Sequence, residues 1–305
     1  MKKVLVTGAN GFLGRHALLP LRERGFEVHA VGRSGPSPEL AALATWHTAD
    51  LLQPEAGRKL LQELRPEGLL HLAWDTSPGA YWTTPANMDW AAASLFLFSE
   101  FARNGGRRLV VAGTCAEYDW TVSPLTEQQT PLRPASLYGC SKNAVRQVLE
   151  AWAPGAGISW AWGRLFCVFG PYEKPQRLVP KMIAKLLEGK AIPFDPATAV
   201  QDFMDVRDAA DAFATLLASP TEGAINIAAG QPVSIRTVLT ELETCLGAGG
   251  LLKFGELKAS QNQPGELIAS TRRLNEELGW RPGRSRMERL AETCQWWSKR
   301  LKKEE

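Results

Sequence analysis

The segment Gly8-Ala9-Asn10-Gly11-Phe12-Leu13-Gly14 constrains this chain more than any other. It directly follows an apolar run, Val4-Leu5-Val6-Thr7, and opens an amphipathic stretch from Phe12 to Arg24. Strand, glycine turn and helix in that order make a seat for a diphosphate. Bare backbone lets the anion approach, and a helix N-terminus offers free N–H donors. Three glycines at this spacing are weak evidence alone, but the strand–turn–helix context from residue 3 onward makes the pattern specific. A tight turn with no ligand is the weaker reading.

The first half of the chain repeats this alternation. Strands are expected at 26–31, 45–48, 69–74, 109–112 and 158–166, and helices at 54–64, 88–103 and 135–152. Strands alternating with helices imply parallel pairing through right-handed crossovers, hence an α/β doubly wound sheet. After Gly170-Pro171 the pattern changes. A helix is expected at 178–187, a loop at 191–199, a strand at 201–206, a helix at 208–217 and a strand at 224–228. From about residue 230 the pattern is mostly helical and ends in a helix at 287–301.

Composition excludes several classes. Lys and Arg number 35 against 32 Asp and Glu, a net charge of +3, too little to imply a nucleic-acid partner. The five cysteines are odd in number and contain no Cys-x-x-Cys pair, so neither a disulfide framework nor a metal site is expected, and a cytoplasmic location is. The apolar run after Lys2 and Lys3 breaks at Gly8, too early for a signal peptide. No apolar stretch approaches the ~20 residues of a membrane span.

Two further positions carry chemistry. The expected second strand ends in Val31-Gly32-Arg33-Ser34, with no acid before Glu39. An acid there would hold ribose hydroxyls, whereas Arg33 suits a 2′-phosphate, so NADP(H) is expected over NAD(H). Asp50-Leu51 follows the third strand and suits the adenine, although an aspartate there also fits a helix cap. The second position is Tyr138-Gly139-Cys140-Ser141-Lys142, near the start of an expected helix. Residues i and i+4 share a face. A free phenol is a poor base at neutral pH, but a neighbouring ammonium and a positive nicotinamide ring both favour phenolate. Tyr138 then exchanges a proton with a carbonyl or alcohol oxygen while hydride moves at carbon. Thr114, after the 109–112 strand, supplies a second hydrogen bond to that oxygen.

With these residues in hand, the chain resembles the extended short-chain dehydrogenase/reductase family, the nucleotide-sugar epimerase/dehydratase group. The resemblance covers nearly the whole chain. It rests on TGANGFLG at 7–14, DL at 50–51, HLAW at 71–74, GTCAEY at 113–118 and LYGCSK at 137–142. RLFCVFGPYE at 164–173, QDFMDVRDAADA at 201–212 and ELGWRP at 277–282 complete it. It implies a Rossmann-type dinucleotide-binding domain at 1–165 and 199–228, with a smaller, mostly helical substrate lobe at 166–198 and 229–305. It implies a catalytic set of Thr114, Tyr138 and Lys142. It places the cofactor on Gly8, Asn10, Gly11, Phe12, Leu13, Gly14, Arg33, Asp50, Leu51, Leu72, Ala73, Trp74, Tyr138 and Lys142. Thr114, Tyr138, Phe166, Arg177, Lys181 and Gln201 are expected to face the substrate. A homodimer through the helices matching 88–103 and 136–152 is also implied.

Departures from the family pattern narrow the reaction. Family dehydratases carry an acidic pair after the threonine; here Cys115 and Ala116 stand there, and Glu117, one position late, is expected to point elsewhere. The four histidines all lie in the first quarter of the chain, and Cys115 is one position early for the cysteine role, so 3,5-epimerisation is not expected. Two family arginines that hold the substrate diphosphate are replaced by Gln201 and Gln263, so either Arg177, Lys181, Arg207 or another base compensates, or the substrate is not an ordinary nucleotide diphosphate sugar. Two reactions then remain, net reduction of a keto-sugar at carbon 4 and 4-epimerisation, and Arg33 favours reduction. A non-catalytic NADP(H)-binding regulator is the alternative of another class, and the intact Thr/Tyr/Lys set argues against it. Trp74, Trp82, Trp90 and Trp120 are expected near the cleft, although packing is the simpler role for any one of them. Trp160, Trp162, Trp296 and Trp297 are expected to be structural, Cys140 to be a packing residue, and Asn87 to match a family asparagine that orders the active-site helix.

Overall fold

The computed structural model describes residues 2–258 and 265–304. In chain order the elements are β1 (Lys3–Thr7), α1 (Gly14–Glu23), β2 (Glu27–Gly32), α2 (Pro38–Ala41), β3 (Thr45–Thr48), α3 (Pro54–Leu64), β4 (Gly68–His71), α4 (Ala86–Arg103) and β5 (Arg108–Thr114). They continue with α5 (Leu137–Trp152), β6 (Ser159–Leu165), β7 (Cys167–Phe169), α6 (Leu178–Leu187), β8 (Ile192–Phe194), β9 (Val200–Asp205) and α7 (Val206–Ala218). The last are β10 (Gly223–Ile227), β11 (Pro232–Ser234), α8 (Ile235–Leu246), β12 (Leu252–Phe254), β13 (Glu266–Leu267), α9 (Arg272–Glu276) and α10 (Arg286–Glu304).

Seven strands form one sheet in the order β10-β6-β5-β4-β1-β2-β3, every pair parallel. This is the doubly wound α/β sheet of Rossmann type expected from the alternation. Helices cover both faces, so its strands are continuous apolar runs rather than alternating ones. In β1, Val4 and Val6 pack with Leu18 and Leu21 of α1 and Phe213 of α7, while Leu5 packs with Leu61 of α3 and Phe98 of α4 on the other face. The strand order reverses between β1 and β4. Crossovers leave to opposite faces at such a point, and a crevice opens beyond the strand ends. The glycine turn after β1 and the Leu72-Ala73-Trp74 segment after β4 line that crevice.

The sequence expectation overran at β4. The strand ends at His71, because the N–H groups of Leu72 and Ala73 donate to the Thr7 hydroxyl at 3.1 and 3.2 Å instead of to a neighbouring strand. The second half holds more strand than its helical pattern suggests. Residues 192–194, expected as loop, pair in parallel with 252–254. Strand β9 leaves the large sheet altogether and pairs with β7, β11 and β13 in a second sheet. Beneath this smaller lobe Ile183, Leu186, Val238, Leu242, Leu290 and Trp297 form a separate core. Among the described residues no helix is long and apolar enough to cross a membrane.

The glycine turn is closed by direct backbone contact. A Cβ at Gly14 would lie 2.2 Å from the Gly8 carbonyl oxygen, so no side chain fits without opening the turn. Gly14→Ala is therefore expected to destabilise the fold by about 1–3 kcal/mol through overpacking, read as a lower urea midpoint at unchanged m-value. A variant as stable as the parent would show that the turn yields freely.

Candidate active site

A continuous cleft of about 1570 Å³ runs from the glycine turn to the smaller lobe. Its floor is set by the end of β5. Thr114 is the last residue of that strand and is buried. Its hydroxyl accepts from Ala116 N–H at 3.2 Å, while its own N–H donates to Glu117 Oε1 at 2.9 Å, so a short 3-10 turn at 115–117 is capped from both sides. Glu117 is fully buried and also accepts from Trp162 Nε1 and Arg164 Nε, each at 2.8 Å. Arg164 donates onward to the Tyr118 hydroxyl, which donates to Asn226. A Cβ at Gly113 would lie 2.0 Å from Trp162 Nε1, so glycine is what lets this tryptophan reach the carboxylate. Glu117 thus points away from the cleft, as its late position implied.

Helix α5 presents Tyr138 and Lys142 one turn apart, and its N-cap Ser136 accepts from Gly139 N–H. Both side chains line the cleft and are buried. The Lys142 ammonium donates to the Ala112 carbonyl at 2.8 Å and lies 3.9 Å from the centre of the Trp74 ring. Burial lowers its pKa to about 7, opposed by the negative charge of Glu117. Burial drives the Tyr138 phenol the other way, above its ordinary value, and the Thr114 side chain partly offsets this. The expectation that Lys142 acidifies Tyr138 is thus corrected: desolvation dominates both groups, raising the phenol and lowering the ammonium.

An aromatic wall encloses the phenol. Tyr81, Trp82 and Trp74 meet the Tyr138 ring edge-on at 5.1, 5.9 and 6.3 Å between centres, and Trp82 meets Trp120 the same way at 6.1 Å. Asn87 is buried and fixes this wall. It accepts from Trp74 Nε1 at 2.8 Å and donates to the carbonyls of Tyr81 and Thr84. Trp74 also stacks on Trp90.

At the far end of the cleft, α1 has no side-chain cap and no acid in its first turn, which leaves N–H donors for an anion. Arg33 lines the same end, is exposed, and makes no ion pair or hydrogen bond among the described residues. A bare-backbone turn at an uncapped helix N-terminus, with an available guanidinium beside it, fits a dinucleotide diphosphate.

A model of the NAD dependent epimerase/dehydratase family matches residues 4–228. The chain belongs to that family. It is 27% identical over 241 residues to the dTDP-6-deoxy-L-talose 4-dehydrogenase (NAD(+)) of Aggregatibacter actinomycetemcomitans, covering 78% of this chain and 88% of that protein. It is 26% identical over 322 residues to a UDP-glucose 4-epimerase of Corynebacterium glutamicum, covering 95% and 94%. The structure of a UDP-N-acetylglucosamine 4-epimerase from Methanobrevibacter ruminantium superposes with a TM-score of 0.87 at 23% identity, over 98% of this chain and 99% of that one. That likeness establishes a shared fold. The chain is an enzyme of oxidoreductase type within this NAD-dependent family.

Most of the family-pattern residues meet in the one cleft. Gly8, Gly11, Phe12, Leu13 and Gly14 line it, as do Leu72, Ala73 and Trp74. Thr114, Phe166, Arg177 and Gln201 also line it. Four expected contacts do not. Asn10 instead ties the glycine turn to the loop after β2, donating to the carbonyls of Ser34 and Gly35. Asp50 accepts from Leu52 N–H, and Leu51 is buried in the core while Leu52 lines the cleft. Lys181 is exposed on α6 and faces away from the cleft. Arg207, a candidate for the diphosphate, is instead paired with Asp205 and Glu292. Gln201 accepts from the Cys167 thiol at 3.2 Å, and Gln263 lies outside the described residues.

Cys140, expected to pack, is exposed. Trp160, Trp162 and Trp297 are buried in cores, and Trp296 packs against the lobe core. No group of metal-ligating side chains occurs among the described residues. Sequence reasoning did not single out Tyr81, Cys167 or Glu173, all of which line the cleft. Tyr81 sits in a loop with no motif, whereas Cys167 and Glu173 lie inside the 164–173 segment that carries the resemblance.

Arg164→Met leaves Glu117 buried, charged and short of one partner. It is expected to lower stability by about 3–5 kcal/mol in urea unfolding. A loss below about 1 kcal/mol would show that Glu117 is not held as a buried carboxylate.

Proposed function

We propose that this enzyme reduces a keto group, at carbon 4, of a nucleotide-activated deoxysugar with NADP(H). The observation that carries this reading is the meeting of Thr114, Tyr138 and Lys142 opposite the glycine turn in one cleft. The turn and the α1 N-terminus hold the diphosphate, Arg33 the 2′-phosphate and Lys142 the nicotinamide ribose. When bound, the dinucleotide would supply hydride for the carbonyl carbon. Tyr138 donates the proton to the carbonyl oxygen, and Thr114 orients that oxygen by hydrogen bonding. A phenol kept protonated by burial suits a donor, because reduction starts from the neutral form. A cationic cofactor ring beside it would favour the phenolate left behind.

Arg33 favours this reading over 4-epimerisation, in which a retained NAD oxidises and re-reduces one carbon. An unpaired guanidinium and no acid at the end of β2 favour NADP(H), and exchangeable NADP(H) favours net reduction. The named relatives support both reactions, one being a 4-dehydrogenase and the other a 4-epimerase. A homodimer through α4 and α5 belongs to the same proposal. The two helices pack side by side and leave Met88 and Val148 exposed. The five free cysteines suit the reducing cytoplasm proposed as its location.

Tyr138→Phe should lower the rate of NADPH oxidation with a 4-keto-6-deoxy nucleotide sugar by about 10²–10⁴-fold while NADPH still binds. Retained turnover would remove the phenol from the chemistry. Arg33→Ala should weaken NADPH binding by about tenfold or more and leave NADH binding unchanged. Equal loss for both cofactors, or for neither, would contradict the assignment to NADP(H).

A further inference from the structure

Three buried side-chain polar atoms lack a hydrogen-bond partner among the described residues, and only one, Glu173 Oε2, belongs to a residue that lines the cleft. Glu173 sits between β7 and α6 and is 8% exposed. Native structures rarely leave such an atom unpaired, so a bound group is the expected partner. The terminal torsion of a glutamate is soft, so either oxygen can turn to the cleft.

The surroundings limit what that group is. The charged and titratable groups that face Glu173 are the Arg177 guanidinium and the Cys167 thiol, with the Gly170 backbone beside it. Arg177 also lies over the Tyr81 ring, which meets Tyr138 edge-on, while Pro171 and Tyr172 pack on His16 and Arg15 at the start of α1, so Glu173 sits where the aromatic wall and α1 meet the smaller lobe. An ammonium is disfavoured there by the positive charge of Arg177. A diphosphate is disfavoured by a carboxyl group and by Gln201, which cannot give charge-assisted pairing. A neutral hydroxyl suits a carboxylic acid, which donates through one oxygen and accepts through the other.

We infer that Glu173 is a specificity-determining residue that binds a sugar hydroxyl through its unpartnered carboxyl group. The inference rests on the nucleotide-sugar reading above. Burial raises the Glu173 pKa to about 8, so the acid is protonated at neutral pH. The folded state therefore binds this proton more tightly than the unfolded chain. The associated stability is complete at low pH, falls as pH rises from the ordinary glutamate value, and is fully lost above about pH 8.

The test is calorimetric binding of dTDP-glucose and UDP-glucose to the protein with excess NADP(H), for the parent, Glu173→Gln and Glu173→Ala. Measurements are made at about pH 7 and about pH 9.5, with Tyr138→Phe turnover in parallel. Glu173→Ala should weaken binding about tenfold, while Glu173→Gln, a neutral donor and acceptor, should stay within about threefold of the parent at pH 7. Raising the pH should weaken the parent but not Glu173→Gln, and Glu173→Gln should melt at a higher temperature than the parent at the upper pH. Two outcomes overturn the inference alone. One is parental affinity in Glu173→Ala while Tyr138→Phe abolishes turnover. The other is tighter parental binding at high pH together with a loss in Glu173→Gln equal to that in Glu173→Ala. Failure of both probes to bind the parent would overturn the nucleotide-sugar reading and this inference with it.

Discussion

A single buried carboxylate holds the chemistry in place. Glu117 accepts hydrogen bonds from the Thr114 backbone, from Trp162 and from Arg164, and no part of it reaches solvent. Burying such a charge is costly unless its lone pairs are satisfied, and here three well-placed donors do so. The arrangement locks the end of β5 to β6, which fixes where Thr114 stands. It also places a negative charge near Lys142, and this opposes the desolvation that would otherwise neutralise the ammonium. Two members of the proposed catalytic set therefore depend on a residue that never touches the cleft.

The two ends of the cleft differ in kind. The glycine-turn end offers backbone donors and the cationic Arg33, suited to phosphate. The other end is walled by Tyr81, Trp82 and Trp120 and carries Arg177 and Gln201. Aromatic walls suit the apolar faces of a sugar ring, while the few polar groups between them set its orientation. Tyr138 stands between the two ends, where a reacting carbon would lie between cofactor and sugar.

The sheet was legible because both its faces are buried, which leaves unbroken apolar runs between amphipathic helices. The glycine turn and the Tyr–Lys pair were legible because their chemistry needs fixed residue types at fixed spacing. The small lobe was not, since strands of two or three residues such as β11 and β13 have no period to detect. Arg177 and Lys181 show where spacing misleads. They are four apart, but Arg177 is an extended N-cap residue rather than part of α6, so it can enter the cleft while Lys181 turns outward. Leu51 and Leu52 differ by one position, and backbone geometry alone decides which reaches the core. The direction of the Tyr138 shift was misjudged because sequence gives charge pairs but not desolvation.

In the proposed reaction hydride leaves a free cofactor and stays on the sugar. Incubating the enzyme with NADPH deuterated at nicotinamide carbon 4 and a 4-keto-6-deoxy nucleotide sugar should place label from one face of the ring at sugar carbon 4, one deuterium per NADPH consumed. An isomerised sugar without label, formed with no loss of NADPH, would contradict it.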